Sequence, residues 1–226
     1  MKKTKTVLLI GIVITLFYSF CAISKLLPLE RFELLLYDLR YQIRGRTTPP
    51  QEITIVAIDD KSLEKVGRWP WERSKIAAVI DILKKMGAKV IFIDVIYSEP
   101  SKDDEILKDA IKRAGNVILP IVFDFKGEKK NVQDGILVQS AYSAIANPEN
   151  LNIFFPIGAN DVLLPVKGFS QSADALGHIN MIADKDGILR WEVMAIEYNG
   201  DLFPFLLIQG SEEITALSFF LHDEYV

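Results

Sequence analysis

The sequence predicts an α/β fold: a largely parallel βαβαβ sheet with antiparallel strands added from C-terminal hairpins, preceded by one N-terminal transmembrane helix. Three observations carry this expectation. Short, apolar, β-favouring runs alternate with helical repeats between residues 53 and 123, and such strands are covered on both faces and joined by right-handed crossovers. Turn signals at Asp184-Lys185-Asp186-Gly187 and Asn199-Gly200 separate further apolar runs, the mark of hairpins. Finally, an uncharged run from Thr6 to Ser24 follows Lys2, Lys3 and Lys5.

That first run, roughly 18 residues at 1.5 Å rise, matches a hydrocarbon core of ~30 Å. The lysines stay cytoplasmic by the positive-inside rule, so the chain is expected at the inner or cell membrane with its main domain outside. The competing reading is a cleaved signal peptide, because Ala22-Ile23-Ser24 places small residues at a cleavage spacing. Both readings export the body. The expected divisions are residues 1–5 as a cytoplasmic N-terminus, 6–26 as the anchor, 27–207 as the exported domain and 208–226 as a tail. From Pro28 to Arg46, Leu29, Phe32, Leu35, Leu36, Leu39 and Ile43 recur at helical spacing until Gly45 and Pro49-Pro50 stop the pattern. This amphipathic helix either couples anchor to domain or packs as the domain's first helix.

Within the body, Ile53 to Ile58 reads as a buried strand. Ile76, Val79, Ile80 and Leu83 mark one face of a helix closed by Gly87, and Val90 to Asp94 is the second strand. The next helix has Ser101 as cap, Asp104 completing a capping box, Asp103 in the first turn and Lys108, Lys112 and Arg113 toward its end before Gly115. Val117 to Phe123 is a third strand, where Pro120 predicts an edge or a bulge.

A formal net charge of -4 gives no reason to expect nucleic acid, and the single cysteine, Cys21, excludes a disulfide framework. Asp59, Asp60 and Asp94 follow the carboxyl ends of strands expected to be adjacent, where open α/β sheets bind ligands; acids there also cap the next turn. Arg73 is placed to pair with an aspartate or to clamp an anion. Trp69 and Trp71 flank Pro70 as a stacking surface or as core, and Glu99 joins the same end of the sheet. Those seven residues, Asp59, Asp60, Trp69, Trp71, Arg73, Asp94 and Glu99, are the candidate ligand-binding set. Asp184 and Asp186 lack the later ligands of a calcium loop, and the two histidines, His178 and His222, lie too far apart in sequence to suggest zinc. No catalytic motif, metal site or cofactor is expected.

Tyr37-Asp38-Leu39-Arg40, Ile55 to Asp59 with Ser62-Leu63, Gly67-Arg68-Trp69-Pro70-Trp71-Glu72-Arg73, Gly87 to Asp94 and Asp103-Asp104 together resemble the type 2 CHASE domain. That name denotes a cyclase/histidine-kinase-associated sensory extracellular domain. Gly177-His178-Ile179-Asn180, then Asp184, Asp186-Gly187 and Arg190, resemble its closing pattern. The resemblance covers roughly Leu27 to Leu207. It implies an extracytoplasmic sensor of a bacterial membrane receptor, with an unknown ligand and a cyclase or histidine-kinase output beyond further membrane helices. Residues Ser211 to Val226 read as no membrane span. The partners expected are the membrane, an unknown extracytoplasmic ligand or protein, and a second copy in a homodimer. Two other readings stand beside the sensor: a periplasmic protein-interaction module, and a metal-assisted hydrolase using Asp59, Asp60 and Asp94.

Overall fold

The computed structural model describes residues 2–23, 27–48, 51–132, 134–143, 156–209 and 218–223. The chain divides into two compact units, Met1–Pro49 and Pro50–Val226.

The first unit holds α1 (Lys2–Ile23) and α2 (Leu27–Arg44). Apolar side chains lie all round α1: Val7, Leu9, Val13, Leu16, Phe17 and Phe20 are each exposed. Among the described residues no helix is long and apolar enough to cross a membrane, so the transmembrane expectation for residues 6–26 is not supported. Lysines occupy the first turn of the helix, and its uncharged part, residues 6–23, rises ~27 Å. On α2 the Tyr37 and Tyr41 rings lie 5.1 Å apart, and the Arg44 guanidinium sits 4.4 Å over the Tyr41 ring.

The second unit is a mixed α/β domain. Its strands are β1 (Ile53–Ile58), β2 (Val90–Asp94), β3 (Val117–Asp124), β4 (Ile157–Gly158), β5 (Asp161–Leu163), β6 (Ala175–His178), β7 (Ala195–Tyr198), β8 (Asp201–Pro204) and β9 (Ser218–Asp223). Its helices are α3 (Asp60–Val66), α4 (Arg73–Lys85), α5 (Asp104–Ala114), α6 (Gly135–Gln139), α7 (Lys167–Ser170) and α8 (Leu206–Gln209). The main sheet runs β1-β9-β2-β3, with β6 parallel along the first part of β3 and β5 antiparallel along the rest. A separate sheet runs β4-β7-β8.

The expected parallel βαβαβ core is present, with four corrections. First, β1 and β2 are not neighbours. In place of a tail, Ser218–Asp223 enters between them as β9, parallel to both. A run of Phe219-Phe220-Leu221 is too short to announce a strand by periodicity, and only its place in the sheet makes it one. Second, β1 is not covered on both faces: Ile53 and Ile55 are exposed while Ile58 is buried. Third, the antiparallel strand of the main sheet is β5, whereas the Asn199-Gly200 hairpin joins β7 to β8 in the second sheet. The Asp184–Gly187 turn forms, but β6 and β7 on either side of it do not pair.

Fourth, Pro120 is buried inside β3 rather than at an edge. The Val117 and Ile121 carbonyls accept from Asp174 and Ile179 on the β6 side, while Asn116 accepts from Ile91 of β2. By alternation the Pro120 nitrogen faces β2, whose pairing with β3 stops at Ile118. No donor is missed there.

The helices follow their signals closely. Ile76, Ile80 and Leu83 bury one face of α4, and Leu107, Ala110, Ile111 and Ala114 bury one face of α5. Gly115 ends α5 at φ 62, the left-handed conformation that glycine adopts without steric cost. The cap differs by two residues from the expectation. Asp103 is the N-cap, while Asp104 reaches back to accept from the Ser101 amide at 2.8 Å. Both helices pack on the face of the sheet that carries Ile91, Ile93, Val117, Leu119, Ile121 and Phe123.

Candidate functional site

The seven predicted residues come to rest in two groups. Asp59 is the N-cap of α3: its Oδ1 accepts from the Ser62 amide at 2.9 Å, and the Ser62 hydroxyl donates to its carbonyl at 2.7 Å. The Ser62 amide holds this carboxyl below the ordinary aspartate range. Asp60 opens the first turn of α3, and Asp94 ends β2, half-buried. With β9 between their strands, Asp59 and Asp94 lie about two strand spacings, ~10 Å, apart across the sheet. That exceeds what one ion with oxygens at ~2.0–2.6 Å can bridge. Among the described residues no group of three or more His, Cys, Asp or Glu is placed to hold a metal ion.

Trp69, Trp71, Arg73 and Glu99 form the second group. Gly67 ends α3 at φ 106, and its carbonyl accepts from the Trp71 indole nitrogen at 2.7 Å. The Trp69 and Trp71 rings meet near edge-on at 5.7 Å, joined by a cis Trp69–Pro70 peptide, and both pack half-buried against the core. Arg73 then opens α4. Its Nε donates to Asp104 Oδ1 at 3.1 Å, and its Nη2 donates to the Glu99 carbonyl at 3.1 Å. The guanidinium also stacks 4.1 Å over the buried Tyr97 ring. Its ion-pair partner is thus Asp104 rather than Asp59 or Asp94, and both side chains are largely enclosed, at 13% and 17% exposure. A guanidinium shared by a carboxylate, a carbonyl and a ring ties three segments together. What Glu99 contributes is its backbone oxygen.

The Asp184–Gly187 turn is likewise internally satisfied. Arg190 Nη1 donates to Asp184 Oδ2 and to Asp186 Oδ1, each at 2.9 Å, and Nη2 donates to Asp186 Oδ2 at 2.7 Å. This arginine holds the Asp186 carboxyl down to about 2. Trp191 donates its indole N–H to Asp184 Oδ1 at 3.0 Å.

Sequence reasoning missed the cleft. It lies between α6, the segment before it and the β7–β8 hairpin, with a volume of about 550 Å³. Tyr198 and Phe203 of the hairpin and Leu137 of α6 form its buried floor. Tyr198 fixes the geometry: its hydroxyl donates to the Lys130 carbonyl at 2.8 Å and accepts from the Val132 amide at 3.0 Å. Asp134 caps α6 through the Ile136 amide at 3.0 Å, and Ser140 at the other end of the helix accepts from Leu176 of β6 at 2.9 Å. Asn199, at φ 54, donates from its side chain to Asn131 Oδ1 at 3.1 Å and so closes one end of the cleft. The only sequence signal read here was Asn199-Gly200, which announces a turn and nothing more.

One buried polar side chain lies behind this floor. His178 of β6 is fully buried between the rings of Phe123 and Phe205, and neither ring nitrogen has a hydrogen-bond partner in the structure. Desolvation lowers its pKa to about 4, so it is neutral at pH 7.

The second unit is thus a mixed α/β domain with an open cleft beside its smaller sheet. The chain belongs to the CHASE2 domain family: the model of that family, CHASE2 domain, matches residues 8–225, nearly the whole length. This family consists of extracellular sensory domains, and the resemblance carried by the tryptophan-proline-tryptophan block holds. Neither a curated protein nor a solved structure matches the chain.

Proposed function

We propose that this chain is the extracytoplasmic signal-input domain of a membrane receptor, held at the membrane by α1 and relaying its signal through α2. Membership of a family of extracellular sensory domains carries the reading. Two physical observations support it. Apolar side chains all round α1 make a surface that water solvates poorly and lipid solvates well. The few ångströms separating ~27 Å from ~30 Å cost fractions of a kcal/mol per Å, because bilayers thin locally around a short span. Signalling then requires a ligand that binds two states of the domain unequally, since equal affinity shifts no population.

Topology tests this reading. Alkaline phosphatase fused after Val226 is expected to be active in intact cells, because the enzyme matures only outside the cytoplasm. Activity of a β-galactosidase fusion at the same point, with a silent phosphatase, overturns it.

A further inference from the structure

We propose that the cleft between α6 and the β7–β8 hairpin is the ligand site of this domain, and that its ligand class is the small organic cation. This rests on the sensory reading and adds a site and a chemistry to it. The volume of about 550 Å³ suits a small molecule. The floor of Leu137, Tyr198 and Phe203 offers apolar surface to a short carbon chain.

The polar lining decides the charge of the ligand. Asp134 and Asp201 line the cleft together with the side-chain amides of Asn131, Gln139 and Asn199, and among the described residues no lysine or arginine lines it. Among the described residues neither Asp134 nor Asp201 takes part in an ion pair. Lys130, adjacent in sequence, has its ammonium engaged by Asp161. An anion entering here meets two carboxylates and no counter-charge. A protonated amine meets two acceptors whose charge it neutralises, and such charge-assisted bonds are about twice as strong as neutral ones.

Occupancy also has a mechanical consequence. One wall, α6, is tied to the main sheet through Ser140 and Leu176. The other wall is the hairpin of the second sheet. A ligand that touches both walls couples the two sheets, and a two-state element of this kind is what a sensor needs.

The test uses three four-carbon probes that differ mainly in their end groups, titrated calorimetrically into the full chain in detergent: 1,4-diaminobutane, 1,4-butanediol and succinate. The diamine is expected to bind, the diol about tenfold or more weakly, and succinate not at all; one charged hydrogen bond lost corresponds to about that factor. Asp201→Asn and Asp134→Asn are each expected to weaken the diamine by about tenfold with little change in Tm, since asparagine caps a helix as well as aspartate does. Absence of diamine binding, equal binding of succinate, or diamine affinity unchanged in both variants overturns the proposal. The phosphatase fusion reads location independently. Failed titration with an active fusion removes the ligand class alone, and binding with a silent fusion removes the extracytoplasmic placement alone.

Discussion

The corner that runs from Asp59 through α3 to Arg73 and the cleft at α6 are built from similar polar side chains, yet they differ in what those side chains have left to give. In the corner, Arg73 is shared by Asp104, the Glu99 carbonyl and the Tyr97 ring. Asp59 caps α3 and Trp71 donates to Gly67. In the cleft, Asp201 is exposed beside a buried aromatic floor. Recognisable residues mark the place where the chain is stapled, whereas the place with capacity for a ligand carries unremarkable ones. A satisfied polar group stabilises, and an exposed one remains available to a guest.

A series of substitutions and one pH dependence probe that contrast, beginning with the largest effect. Gly177→Ala should disrupt the packing behind the cleft, because a Cβ there would fall 2.4 Å from the Leu206 Cα, where backbone must move. A loss of about 3 kcal/mol or more by denaturant unfolding is expected; an unchanged midpoint would show that α8 is not seated on β6. The second effect is pH-dependent. The unfolded chain protonates this histidine near pH 6.5, but the folded one does so only near 4. The contribution of this histidine is therefore full above about 6.5 and falls by roughly 3 kcal/mol as pH drops to about 4, below which depressed carboxylates such as Asp186 take over the pH dependence. The slope should vanish in His178→Leu, and its persistence would assign it elsewhere.

Arg73→Ala comes next, at about 2 kcal/mol, because it leaves the largely enclosed Asp104 without its cation. Lysine should restore little, since it cannot reproduce the fork and the stacking on Tyr97. The smallest effects sharpen the comparison most. Asp59→Ala should lower Tm slightly through loss of the α3 cap, while Asp201→Asn should leave Tm unchanged and alter only binding. Reversal of that order, with Asp201→Asn the more destabilising, would make the cleft structural and the corner the freer region.

Much of this was legible in the sequence for a clear reason. β1, β2, α4, α5 and β3 are long, apolar on a regular period and bounded by caps or glycines, so local signals and tertiary fold agree. Asn199-Gly200 specified its hairpin. The strands β4 and β5 are two and three residues long, too brief to carry a period. β9 was hidden because its partners lie far away in sequence, and that concealment misplaced Asp59 and Asp94 as neighbours. Arg73 was correctly read as a pairing residue, but its partner came from the next helix, which no spacing rule gives. The cleft was illegible since its lining comes from the five-residue helix α6, the segment before it and the Asn199-Gly200 hairpin, each too short to carry more than a cap or turn signal.

The position of β9 also has a consequence for how the protein is made. β1 pairs only with β9 among the described strands, so an early strand waits for one synthesised far later. Closing that span is among the slowest kinds of contact a chain forms, because loop entropy is lost before the ladder compensates. A polypeptide emerging from the ribosome as far as α8 has the helices and the β2–β3 centre but two open strand edges, on β1 and β2. Such edges template association between chains. Until β9 has been made and seated, the β1 and β2 edges stay open to such pairing.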